Sequence, residues 1–112
     1  MSTKDDTLYL GHTRDAIEKI EKYISDVSYG QFLSDDMMID AVVRELEIIG
    51  EATNNLSDDF RKTHPEMPFR DIIDMRNILI HNYAGVNIKV VWETCRKNLP
   101  ELKKLVVEVL DR

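Results

Sequence analysis

An all-α helical bundle is the fold this sequence predicts, and three observations carry the prediction. Apolar residues recur at three- and four-residue spacing along nearly the whole chain. No stretch sustains the two-residue alternation of a half-buried strand. The three prolines and two of the four glycines fall where helices would begin or end, Gly11 and Gly50 being the exceptions. With 112 residues there is room for one domain with one core and too little for two, so residues 1–112 are read as a single domain of four to five helices. Short connections make neighbouring helices mostly antiparallel.

The first helix is expected from about Asp5 to Val27, with Ile17, Ile20, Ile24 and Val27 on one face and Ser28-Tyr29-Gly30 closing it. Ser34 is a candidate N-cap for the second, and Asp35 and Asp36 suit the positive end of the helix dipole. That helix continues to about Leu56 with Met38, Val42, Leu46, Ile49, Thr53 and Leu56 along one stripe. Gly50 lies inside it at a cost of about 1 kcal/mol relative to alanine, which a close helix–helix crossing would explain. The polar LSDDFRKTHPEMP stretch reads as a connector with one short helical turn. Pro68 opens a third long helix, Phe69 to about Tyr83, with Gly85 just beyond. Asn87 caps a fourth, Ile88 to Asn98, carrying Val91, Trp92, Cys95 and Leu99. Pro100 tolerates only a helix start or a kink, and Leu102, Leu105, Val106 and Val109 form the last stripe.

Composition narrows the function. A net charge of -6, from 15 basic and 21 acidic residues, argues against nonspecific coating of nucleic acid but leaves room for a local basic cleft. Arg61, Lys62, Arg70 and Arg76 make the one locally basic region, facing either RNA phosphates or plain solvent. Cys95 is the single cysteine and is expected to be a buried, unreactive thiol. His12, His64 and His81 fall into no metal-ligand spacing, so neither metal nor other cofactor is expected. His64 is expected to cap or lie at the surface, and Trp92 to join the core rather than to stack on bases. No glycine-rich phosphate loop is present. The opening MSTKDDTLYLGH lacks a signal-peptide pattern, and no apolar run approaches the ~20 residues of a membrane span, so a cytoplasmic location is expected.

The stretch MRNILIHNYAG, residues 75–85, breaks the pattern. With Ile72 at zero on a helical wheel, Leu79 falls at about 340°, Arg76 at about 40° and Ile80 at about 80°, so a permanent cation sits amid the apolar arc. Asn77 and His81 follow at about 140° and 180° on its flank. An unpaired guanidinium in the interior is prohibitively costly, which leaves two solutions. Either a carboxylate from another helix pairs with it, Glu45 and Glu51 being the candidates, or the arc opens there into a cleft. In a cleft, the planar guanidinium fork suits phosphate oxygens, and an imidazole can exchange a proton near neutral pH. The pair suffices for RNA cleavage without a metal, with Arg76 stabilising charge on phosphorus and His81 serving the 2'-hydroxyl or the leaving 5'-oxygen. Asn77 would orient the imidazole or hold an oxygen, and a two-fold dimer would double this thin site.

These residues, Arg76-Asn77-Ile-Leu-Ile-His81-Asn82-Tyr83, resemble the R-x4-H-x-Y motif of the HEPN superfamily, and of HepT-like toxins in particular. AVVRELEIIGEATNNLS (41–57), HPEMPFRDIIDMRN (64–77) and VVWETCRKNLPELK (90–103) resemble the other blocks of that family in order and spacing, so the likeness covers roughly residues 35 to 110. Asn82 and Ala84 stand where relatives often carry an aspartate and an aromatic residue. The resemblance implies a HEPN bundle that forms homodimers with the motif at the dimer cleft. It implies a metal-independent endoribonuclease toxin of a type VII HEPN/MNT toxin–antitoxin system. Its partner would be an MNT-type nucleotidyltransferase antitoxin, which transfers AMP to the motif tyrosine. Carried over, Arg76 and His81 would be catalytic, Asn77 supporting and Tyr83 the modified residue, while Glu51 would polarise His81 or pair with Arg76. A second reading is a catalytically silent HEPN module that binds its nucleotidyltransferase or a nucleotide. A third is a purely structural dimer with Arg76 salt-bridged inside.

Overall fold

The computed structural model describes residues 4–81 and 87–111, without the side chains of Lys4, Ile78, Ile80 and His81. Seven α-helical segments follow one another in this part of the chain: α1 (Lys4–Ile24), α2 (Tyr29–Leu33), α3 (Asp36–Asn54), α4 (Asp58–Thr63), α5 (Phe69–His81), α6 (Ile88–Glu93) and α7 (Leu99–Leu110). There is no strand among the described residues, so the all-α expectation holds.

The long helix α1 stops at Ile24 rather than Val27 because Asp26 adopts a left-handed φ of 59°. Aspartate tolerates that conformation better than most residues, and the chain turns with Val27 N–H donating to the Ile24 carbonyl. Ser28-Tyr29-Gly30 does not simply end a helix. Ser28 N-caps the short α2 in a capping box with Gln31, each satisfying the other's backbone N–H. Ser34 consequently closes α2, and the N-cap of α3 is Asp35, whose carboxylate accepts from Met38 N–H at 3.0 Å. The connector after α3 contains α4, capped by Ser57.

The predicted fourth and last stripes belong to one continuous helical run. Between α6 and α7, Thr94–Asn98 form a π turn in which Leu99 N–H reaches back five residues to the Thr94 carbonyl. Pro100 supplies the reason: it has no N–H to donate and its ring would crowd the carbonyl of Arg96 in an unbroken α-helix. The wider turn absorbs both problems without ending the helix.

The core gathers Leu10, Ile17 and Ile20 of α1, Val42, Leu46 and Ile49 of α3, and Leu99, Leu102 and Val106 of α7, closed by Phe32, Phe60 and Val91. Helix α1 packs on α3 and α7, while α5 packs on α3. The molecule is only 19 Å through its thinnest dimension, about two helix diameters, so an outer helix has one face without cover. Among the described residues of α5, Leu79 alone is fully buried. No helix among the described residues is long and apolar enough to cross a membrane.

A charged residue fastens two segments far apart in the chain. The carboxylate of Asp6, 1% exposed, accepts from Ser57 N–H at 2.8 Å and from Ser57 Oγ at 2.7 Å, tying the start of α1 to the cap of α4. Lys103 Nζ reaches Glu21 at 2.8 Å between α7 and α1, but both side chains are solvated and the pair adds little. Asp6→Ala should therefore lower the unfolding free energy by about 3 kcal/mol, since a buried charge-assisted interaction is lost and Ser57 left partly unanswered. Urea unfolding at neutral pH measures it; an unchanged midpoint would show that the clamp is dispensable.

Candidate functional site

Helix α5 carries the site, and local chemistry explains where it begins. Pro68 stands immediately before it, contributing its carbonyl to Ile72 N–H at 3.2 Å, and the buried Met67 anchors the approach with its carbonyl accepting from Phe69 N–H at 2.9 Å. From there the helix shows alternating degrees of cover. Ile72, Ile73, Met75 and Arg76 are half-buried, Leu79 is sealed, and Arg70, Asp71, Asp74 and Asn77 are exposed.

The Arg76 stem lies against α3 at Gly50. A Cβ built on Gly50 would stand 2.5 Å from Arg76 Cβ, 2.8 Å from its Cδ and 2.9 Å from its Cγ, all closer than real carbons approach. The close crossing expected from a glycine inside a helix is present, and the residue that occupies the space is the motif arginine.

Neither candidate acid neutralises it. Glu45 is buried and Glu51 is exposed on α3, and no ion pair or hydrogen bond joins either to Arg76 among the described residues. The ion pairs found there are Arg14–Asp15 and Lys103–Glu21, both at the surface. Arg76 is thus half-covered through its methylenes and not salt-bridged by a described carboxylate, the arrangement of a snorkelling side chain. Asn77, on the next position, is exposed. His81 is the last described residue of α5 and its side chain lies outside the described residues; so do Tyr83, Asn82 and Gly85.

The two flanks of α5 differ in character. Toward α7, Ile72 and Met75 line an apolar groove of about 300 Å³ with Leu46, Ile49 and Leu102, rimmed by Glu66, Asp71 and Glu101. On the opposite flank an open concavity is bordered by Arg61, Phe69, Arg70, Ile73 and Asp74. Arg61, however, is largely committed. Its Nη2 donates to the Thr53 and Asn54 carbonyls at 3.0 Å each, where the negative end of α3 needs a cation, and its guanidinium lies 5.4 Å from the centre of the Phe69 ring. A basic residue a few positions beyond the end of α3 was the sequence signal for that cap.

Other residues take structural roles. His64 caps α4 as expected but is buried rather than superficial, its Nδ1 within 3.0 Å of the Phe60 carbonyl and its ring stacked on Phe60 at 4.0 Å. Trp92 packs against Phe32 at 5.0 Å with the Arg96 guanidinium over its ring, so it belongs to the bundle. No group of three or more His, Cys, Asp or Glu among the described residues is arranged to hold a metal.

A family model described as "Ribonuclease HepT-like" matches residues 13–109. The chain belongs to the HepT-like ribonuclease family. It is 42% identical over 104 residues to "Putative RNase TTE0752" of Caldanaerobacter subterraneus, covering 93% of each chain. It is 44% identical over 95 residues to "Probable ribonuclease HepT" of Thermococcus cleftensis, covering 85% of this chain and 86% of that one. A third relative, "Gamma-glutamylcyclotransferase and putative RNase MJ0434" of Methanocaldococcus jannaschii, is 38% identical over 96% of this chain but only 49% of its own length. No solved structure matches significantly. The all-α bundle is accordingly of the HEPN type, and the sequence resemblance to HepT-like proteins is borne out at the level of family.

Cys95, the single cysteine of the chain, is buried as expected. Burial pushes the Cys95 thiol up to about 12, against a small opposing pull from Arg96. It stays protonated throughout the neutral range, and only above the ordinary thiol value, near pH 9, does the unfolded chain release a proton the folded one keeps, so alkali erodes stability there. Native protein at pH 8 should resist iodoacetamide and take up a single alkyl group only in denaturant, as intact mass will show. Rapid alkylation of folded protein would make Cys95 accessible and reactive after all.

Proposed function

We propose that the chain is a single-domain, metal-independent endoribonuclease toxin that acts as a homodimer in the cytoplasm and is silenced by adenylylation of Tyr83 by an MNT-type nucleotidyltransferase antitoxin. The observation that carries the reading is Arg76: a half-exposed cation, bedded on α3, with no described acid to cancel it. Such a group is free to meet an external anion. Membership of a ribonuclease family makes an RNA phosphate the natural one.

In the proposed reaction a base removes the proton of a 2'-hydroxyl, whose oxygen attacks the adjacent phosphorus. The bond to the 5'-oxygen breaks, that oxygen takes up a proton, and a 2',3'-cyclic phosphate remains. His81 is the proton-transfer group, Arg76 holds the phosphoryl oxygens as charge builds, and Asn77 positions one of them or the imidazole. Glu51, exposed one position beyond Gly50, is left as a polarising group for His81. Five residues of α-helix separate Arg76 and His81 by a rise of about 7.5 Å and a rotation of about 140°. Positions 76 and 81 therefore fall on different faces of one α5, which favours two copies meeting about a two-fold axis. Adenylylation of Tyr83 would set bulk and a negative phosphodiester beside the cation that RNA must reach.

In EDTA, parent protein should cleave single-stranded RNA at neutral pH, and His81→Ala and Arg76→Ala should each lower the rate by about 10²-fold or more, with His81→Ala melting close to the parent and Arg76→Ala folded but somewhat less stable for its lost methylenes. Cleavage that needs added divalent metal, or that survives in His81→Ala, would remove the assignment. Incubation with ATP and the nucleotidyltransferase should add AMP to the parent and not to Tyr83→Phe, as intact mass reads. Additions that persist in the variant would place the modification on another residue.

A further inference from the structure

We infer that Gly50 is a positioning residue for the ribonuclease site, its missing side chain forming the seat in which the Arg76 stem lies and from which the guanidinium is aimed. The inference rests on the reading of Arg76 as the phosphate-binding cation. Three consecutive carbons of Arg76 would fall within 3.0 Å of a Cβ at Gly50, and the nearest is Arg76 Cβ, which is rigidly fixed to the α5 backbone. A methyl group at position 50 thus cannot be cleared by swinging the far end of a flexible chain. Either α5 moves off α3 or the stem leaves its seat, and both displace the guanidinium.

The α3 side of the seat is itself braced. Thr53 Oγ1, 2% exposed as a residue, donates to the Ile49 carbonyl at 2.9 Å and to the Gly50 carbonyl at 3.1 Å, fixing the turn that carries the glycine. Gly50 is buried on the face of α3 that also carries the core residues Ile49 and Leu46. The helix bears the conformational cost of a glycine at a buried, braced position, and the residue that profits is Arg76. Gly11, by contrast, has nothing within 4 Å of a built Cβ, so a glycine inside a helix of this protein does not by itself imply a seat.

A four-member comparison tests this: parent, Gly50→Ala, Arg76→Gly and the double variant, each melted and each assayed on a short labelled oligoribonucleotide in EDTA. Gly50→Ala should lower kcat by about 10²-fold with KM little changed, as a displaced rather than missing group does. Its melting point should fall in the parent background and rise in the Arg76→Gly background, where the opposing Cβ is gone and alanine's better helix propensity is all that remains. The double variant should cleave no worse than Arg76→Gly. If Gly50→Ala does not fold, recovery of folding in the double variant supports the seat and continued unfolding refutes it. A Gly50→Ala protein as active as the parent, or losses that multiply in the double variant, would overturn the inference while leaving the activity intact. A parent silent on RNA would remove the activity reading and this one with it.

Discussion

At the crossing of α3 and α5 the arginine stem fills the space where a side chain at position 50 would stand, and both the packing of α5 and the aim of the Arg76 guanidinium depend on that contact. Glycine inside a helix costs about 1 kcal/mol, and each methylene withdrawn from water returns about 0.8 kcal/mol. The crossing is therefore supported by the apolar part of an otherwise polar residue. The charge follows a separate rule. A guanidinium without a partner cannot be sealed in, so its half-exposed position is the physically permitted outcome once neither Glu45 nor Glu51 pairs with it.

That arrangement reconciles an acidic protein with an anionic substrate. The net charge of -6 is spread over the surface, and the rim of Glu66, Asp71 and Glu101 lies on the α7 flank of α5. The other flank carries Arg70 and Asp74 beside an open concavity, with Arg61 turned back to the end of α3. Helix α5 divides the two environments. Leu79 is its one sealed residue among those described.

Much of this was legible in advance. The stripes of α1, α3 and α7 mapped onto buried residues flanked by half-buried ones such as Met38, Leu105 and Val109, because an amphipathic period of 3.6 leaves little freedom about which face goes inward. Gly50 was marked as a crossing by the cost of glycine inside a helix, although Gly11 bears the same cost with no neighbour, and the occupant at Gly50 was not readable. The local joints were harder. Ser34 and Asp35 are both good caps, and only the formation of α2 decides between them. The left-handed Asp26 and the π turn before Pro100 arise from backbone geometry that a hydrophobic pattern does not encode. Asp6 looked like an ordinary acidic residue of a first helical turn, since its partner Ser57 is far away in sequence. At the site, Arg76 stood out as a cation in an apolar arc, and the choice between internal acid and open cleft turned on tertiary contacts. His81 and Tyr83 rest on the resemblance, their side chains lying outside the described residues.

The central claim is that the Arg76 charge is available to an external phosphate. A non-cleavable 2'-O-methyl oligoribonucleotide, titrated into parent and Arg76→Gln across a range of salt concentrations, measures it directly. The account predicts weaker binding by the variant and a salt dependence shallower by about 0.7 in log–log slope, or about twice that if each site of a dimer presents both arginines to one strand. Identical affinity and identical slope would mean that the guanidinium never meets the phosphate.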